Sequence, residues 1–152
     1  MEMARITLRM TRASLIAVLA IGAAIGTAGC GKPICPPGTR ADAKRSKPGQ
    51  NAFCVNPTDT HQAAFVELHP NGAQRQVCPL VDGQPSGLYR AFHPGGERWL
   101  EGRYENGLKV GRWTQWAADG RKVADGEYRT GLMVEGAPVG FPATCESLKW
   151  GP

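Results

Sequence analysis

The sequence predicts an all-β protein, an elongated antiparallel sheet of successive β-hairpins with disulfide-linked irregular caps. Three observations predict it. Glycine and aromatic columns recur every 24 residues between Phe65 and Gly136. Glycine accompanies Asn, Asp or Thr at the points that separate strand-like runs. No stretch in that interval shows apolar residues at helical spacing. Composition agrees: of the 123 residues from Cys30 onward, only 20 are Ile, Leu, Val or Phe. So few aliphatics argue against a thick two-layer core, and hence against a Rossmann domain, a TIM barrel or a polytopic membrane protein.

The chain opens with Arg5, Arg9 and Arg12, and then carries no charge from Ala13 to Cys30. Leu15, Ile16, Val18, Leu19, Ile21 and Ile25 make an apolar run too short and too rich in Ala and Gly for a comfortable membrane span. Residues 1–29 therefore read as an export signal removed before folding, with a membrane anchor that stays in place as the alternative. The end of that segment, Thr27-Ala28-Gly29-Cys30, resembles a bacterial lipobox. Thr27 stands where such boxes usually carry Leu. The resemblance implies that Cys30 receives a diacylglyceryl thioether, and that cleavage before it frees an amine for a third acyl chain. Two or three chains hold a protein durably at a membrane where one does not. Gly31 and Lys32 follow, with no Asp to signal inner-membrane retention, so the resemblance implies anchoring at the outer membrane.

Five cysteines are present: Cys30, Cys35, Cys54, Cys78 and Cys145. Lipidation of Cys30 leaves four, enough for two disulfides in an oxidising compartment, with three connectivities open. No pair has the spacing of a zinc site, and His61, His69 and His93 lie away from the cysteines, so no metal is expected.

From Phe65 the 24-residue period organises the chain. Gly72, Gly96 and Gly120 form one column, and Gly83, Gly107 and Gly131 another. Phe65, Tyr89 and Trp113 form a third, and Leu68, Phe92 and Trp116 a fourth. Gly102 matches Gly126, and Tyr104 matches Tyr128. Each unit reads as two strands. In the second, Leu88–His93 is a strand, Pro94-Gly95-Gly96 a turn, Arg98–Glu105 the return strand and Asn106-Gly107 the next turn. An Asn-Gly pair suits a type I′ hairpin, whose two central residues both need positive φ. The three units span 65–88, 89–112 and 113–136.

The segments Gly87–Glu97, Glu101–Gly107, Gly111–Gly120 and Asp125–Gly131 resemble the MORN-type repeats of the YwqK-like family. The resemblance implies an extended sheet of hairpins, and an antitoxin label attaches to some members. The first unit departs from the pattern, with Cys78 at the glycine position and Leu80 at the tyrosine position. A decayed half-unit within residues 30–64 is suggested by Cys54, which lies 24 before Cys78.

Hairpins share their apolar faces by stacking, so the ends of such a sheet need caps. Residues 137–152 are the C-terminal cap. A Cys78–Cys145 disulfide folds this tail across the sheet and blunts one edge, and Cys35–Cys54 closes the N-terminal cap. These are the preferred pairs, and Cys54–Cys78 is the competitor. Lys32–Gln50 holds Lys32, Arg40, Lys44, Arg45 and Lys47 against Asp42 alone. It reads as a solvated basic cap loop, with adhesion to anionic headgroups as the alternative.

Catalysis is not expected. Glu101, Glu105, Asp125 and Glu127 supply carboxylates but recur with the unit as solvated positions. No nucleophile elbow, Walker loop or dinucleotide fingerprint appears, and no cofactor is expected. The charge of the processed chain is too small to suggest nucleic acid. Tyr89, Phe92, Trp99, Tyr104, Trp113, Trp116 and Tyr128 fall within 40 residues. They read as the core of a thin sheet, with an exposed aromatic binding stripe as the sharper alternative. Strand parity sets Tyr89 and Phe92 on opposite faces, and likewise Trp113 and Trp116. The expected role is a non-catalytic protein-binding scaffold, lipid-anchored at the outer membrane. The alternatives are an immunity or antitoxin-like module that sequesters one partner, and a small envelope glycan-binding protein or hydrolase.

Overall fold

The computed structural model describes residues 34–140 and Cys145. The export signal, the lipidation site Cys30 and most of the C-terminal cap lie outside the described residues. The architecture is one open antiparallel sheet of ten strands. They are β1 (Arg40–Ala41), β2 (Asn51–Val55), β3 (Gln62–Leu68), β4 (Gln74–Val81), β5 (Gln84–Pro85), β6 (Gly87–Phe92), β7 (Arg98–Glu105), β8 (Leu108–Trp116), β9 (Lys122–Arg129) and β10 (Leu132–Gly136). Neighbours in sequence are neighbours in space, and short β5 pairs back onto β4 beside β6.

Local chemistry explains the turns. Asp82-Gly83, Asn106-Gly107 and Thr130-Gly131 each hold two consecutive residues at positive φ, with φ of 49°, 49° and 48° at the first of each pair. That is the backbone a two-residue primed turn requires, and its twist matches that of the flanking strands. At the other end of the hairpins, wider turns close on His69, His93 and Ala117. Their amides donate to the carbonyls of Ala73, Glu97 and Arg121 at 2.8, 2.8 and 2.9 Å.

The period-2 alternation of strands sorts the apolar residues onto two faces. On the first face, Phe53 lies opposite Phe65, and Phe65 opposite Cys78. The cluster continues through Leu80, Tyr89, Leu100, Tyr104, Trp113 and Tyr128 and is closed by Val139 and Cys145. Tyr89, Tyr104 and Trp113 stack edge-on or tilted, with ring centroids 5.0–5.8 Å apart. A polar chain enters this core: the Tyr89 hydroxyl donates to Gln76 Oε1 at 2.7 Å, and Gln76 Nε2 donates to Glu67 at 2.8 Å. The second face has a smaller core of Ala52, Cys54, Ala64 and Val66, against which Cys35, Leu68 and Val77 pack.

Two disulfides form, Cys35–Cys54 and Cys78–Cys145. They serve opposite faces. Cys145 and Val139 close the first face, and the amide of Gly140 donates to Gln115 Oε1 at 2.8 Å. Cys35 holds the N-terminal segment against the second face, where the carbonyl of Ile34 accepts from Gln74 Nε2 at 2.8 Å. The expected blunting of an edge is therefore corrected. Val139 and Cys145 lie on a face, and every residue of β10 stays exposed, with Leu132 at 72%. Cys54 also sits on the face opposite Cys78, although 24 residues separate them. Phe53 and, at its edge, Val55 are the residues of β2 that share the Cys78 core.

Candidate functional site

Three strand pairs carry a β-bulge at the same place, beside the wider turns. Between β3 and β4, Glu67 pairs with Gln76 but Leu68 with Gln74, which leaves Arg75 as the extra residue. Between β6 and β7 the extra residue is Trp99, and between β8 and β9 it is Val123. A bulge bends its strand and re-aims the side chain it carries.

Two of these bulged ends border an open groove of about 510 Å³. One hairpin contributes Leu68, His69, Pro70 and Arg75, and the next contributes Phe92, His93, Pro94 and Trp99. The groove is thus built from two copies of one local geometry. Prolines and aromatics make it mostly apolar. Its one permanent charge, Arg75, is paired with Glu67 at 3.1 Å.

Both histidines act as clips between adjacent hairpins. His69 Nε2 lies 2.9 Å from the carbonyl oxygen of Phe92, and His93 Nε2 lies 3.1 Å from that of Trp116. A carbonyl only accepts, so Nε2 carries the proton in both rings. Asn71 adds a third link, donating from Nδ2 to the carbonyl of Pro94 at 2.8 Å. The His93 ring also lies 5.9 Å from the Trp99 ring. The groove walls are therefore held by hydrogen bonds to backbone.

The seven aromatic candidates divide. Tyr89, Tyr104 and Trp113 are fully buried and Tyr128 nearly so, which removes them from any binding surface. Phe92, Trp99 and Trp116 are half-buried. Phe92 and Trp99 line the groove, and Trp116 lies just beyond it under the Arg98 guanidinium, 5.1 Å from the ring centroid. The turn glycines Gly72, Gly83, Gly96, Gly107, Gly120 and Gly131 all take positive φ. They shape the hairpin ends, and none of them lines the groove between the two histidines.

Three of the four carboxylates considered for acid–base work are engaged in ion pairs. Glu101 meets Arg90 at 3.0 Å and Arg98 at 3.5 Å, and Asp125 meets Arg112 at 2.8 Å and Lys122 at 3.4 Å. Glu105 meets Arg103 at 4.0 Å, whereas Glu127 stands opposite Glu135 on β10. No cluster of His, Cys, Asp or Glu suited to a metal occurs among the described residues.

Sequence reading singled out the column that holds Leu68 and Phe92, but missed Arg75 as a groove residue and Trp99 as a bulge. Hydrophobic patterning carries no signal for an inserted residue unless the partner strand is aligned as well. Comparison with known proteins gave no matching family model, curated protein or solved structure.

Proposed function

We propose that this chain is a lipid-anchored envelope protein whose sheet, a MORN-like array of 24-residue units, serves as a non-catalytic scaffold for a protein partner. The observation that carries the reading is the groove between two equivalent hairpin ends, where Phe92, Trp99, Pro70 and Pro94 expose apolar surface on a backbone fixed by the two histidine clips. Pre-ordered walls lower the entropic cost of binding, and a concave apolar site with a few polar groups suits an apolar segment of another polypeptide. The 24-residue unit draws support from the turns at Asp82, Asn106 and Thr130 and from the bulges at Arg75, Trp99 and Val123. Anchoring draws its support from the sequence around Cys30.

A photo-crosslinking residue at Arg75, introduced in cells and followed by recovery of the envelope fraction, tests the scaffold reading. It should trap a defined protein adduct that is lost in Trp99→Ala, whereas a crosslinker at exposed Leu132 should trap none. Equal adducts from both positions would remove the groove from the proposal. One stoichiometric partner would identify the immunity-like alternative, and several structural partners the scaffold. Labelling with palmitate tests the anchor, since Cys30→Ala should abolish incorporation.

A further inference from the structure

The charges of the described residues are unevenly placed. Residues 51–136 hold nine Lys and Arg against ten Asp and Glu, and at least seven of those nine cations reach a carboxylate within 4.0 Å. Residues 34–50 hold Arg40, Lys44, Arg45 and Lys47 against Asp42 alone. All four cations are exposed, and none forms an ion pair with a described residue. Asp42, whose Oδ1 accepts from the Lys44 backbone amide at 2.9 Å, offsets one of the four and leaves the segment at a net charge of +3.

This basic segment is fixed to the sheet. The amide of Asp42 donates to the carbonyl of Phe53 at 2.7 Å, and the amide of Phe53 donates to Ser46 Oγ at 2.9 Å. The Arg45 guanidinium rests 3.6 Å above the centre of the Phe53 ring. The cations are therefore presented on an ordered support.

The Cys35–Cys54 disulfide adds a constraint on reach. If Cys30 is acylated, four residues of chain separate it from Cys35 and its bridge into β2. Fully extended, those five Cα-to-Cα steps span no more than about 18 Å. The basic cap is then the part of the domain that the leash holds nearest the headgroups.

We propose that the cap formed by Arg40, Lys44, Arg45 and Lys47 docks on the anionic phospholipid surface that carries the anchor. The acylated chain would then stand with the β1 end of its sheet toward the membrane and the rest of the sheet directed outward. The occupant is a phospholipid surface because opposite charge is required and the leash brings headgroups within reach. Proximity rests on the anchoring reading, whereas the charge asymmetry does not.

Vesicle flotation separates the two. Residues 31–152, secreted without Cys30, contain both cores and both disulfides. At about 50 mM salt this chain should bind vesicles containing about one-third phosphatidylglycerol at least tenfold better than pure phosphatidylcholine vesicles, and about 300 mM salt should abolish the difference. Lys44→Glu with Lys47→Glu, which leaves the Arg45–Phe53 contact intact, should reduce binding to the phosphatidylcholine level. Equal binding to both vesicle types, or retention on heparin without vesicle binding, would overturn the proposal. The acylated full chain should float on pure phosphatidylcholine. Failure there, with charge-dependent binding preserved, would remove the anchor and keep the basic cap.

Discussion

The indole of Trp113 fills the space where Gly102 would carry a side chain: a Cβ built on Gly102 would lie 2.0 Å from Trp113 Cδ2. Both residues are buried, and Gly102 also faces Tyr89 directly across the strand pair. A small residue beside a large one lets two aromatic rings share one row of a thin sheet. Gly102→Ala should therefore cost about 2–3 kcal/mol through overpacking, and thermal unfolding should fall by roughly 10 °C. An unchanged midpoint would mean that the indole can leave its place at no cost.

Thr130 is a β-branched residue at φ 48°, in a position where Asp82 and Asn106 occupy the equivalent turns. Left-handed backbone disfavours branching at Cβ, whereas Asn tolerates it. Thr130→Asn should stabilise the domain by about 1 kcal/mol and raise its melting midpoint by roughly 4 °C. Differential scanning calorimetry reads this directly, and a lower midpoint would contradict it.

The two disulfides close loops of different length, with sequence separations of 19 and 67. Chain entropy predicts that loss of Cys35–Cys54 costs about 3 kcal/mol and loss of Cys78–Cys145 about 4 kcal/mol. Paired Cys→Ala variants in urea titrations should follow that order. A reversed order would show that the tail is held mainly by Val139 and its neighbours.

His61 Nδ1 contacts Asp82 Oδ1, with both side chains largely exposed. The Asp82 hydrogen bond, then the charges of Asp82 and Asp59, raise the imidazole above its ordinary 6.5. A raised folded-state value means that any stabilisation is fully present below pH 6.5 and is lost as pH rises through the folded midpoint. An NMR titration should place the His61 midpoint above 6.5 in the wild type, and closer to 6.5 in Asp82→Asn. Identical midpoints would show that the contact does not persist in solution.

Glu101 is tied to Arg90 and Arg98 at the partly exposed surface. Exposed ion pairs contribute little, so Glu101→Gln should shift stability by less than about 1 kcal/mol. Partner capture should be unchanged. A turnover activity that disappears in this variant would instead establish the hydrolase alternative.

Much of the sheet was legible because its turns announce themselves. Asn106-Gly107 between alternating runs located β7 to the residue, Arg98–Glu105, since only a few residue pairs suit two consecutive positive φ values. Parity separated Tyr89 from Phe92, because side-chain direction follows position along a strand. The groove was harder to read. Arg75 and Trp99 line it as the extra residues of bulges, and an extra residue exists only relative to a partner strand. Cys54 shows the opposite error: a spacing of 24 suggested equivalence with Cys78, but a one-residue offset places the two on different faces.

The Cys78–Cys145 bridge also works as a length gauge. Nine residues run from Gly136, at the end of β10, to Cys145. They reach at most about 31 Å. From β10 back to β4 there are five strand spacings, about 24 Å. Duplicating one two-stranded unit between them would stretch that distance to about 34 Å. Adding the 6.0 Å between the bridged Cα atoms gives a limit of about 37 Å, so two more strands would leave the tail nearly taut and four more would break the tie.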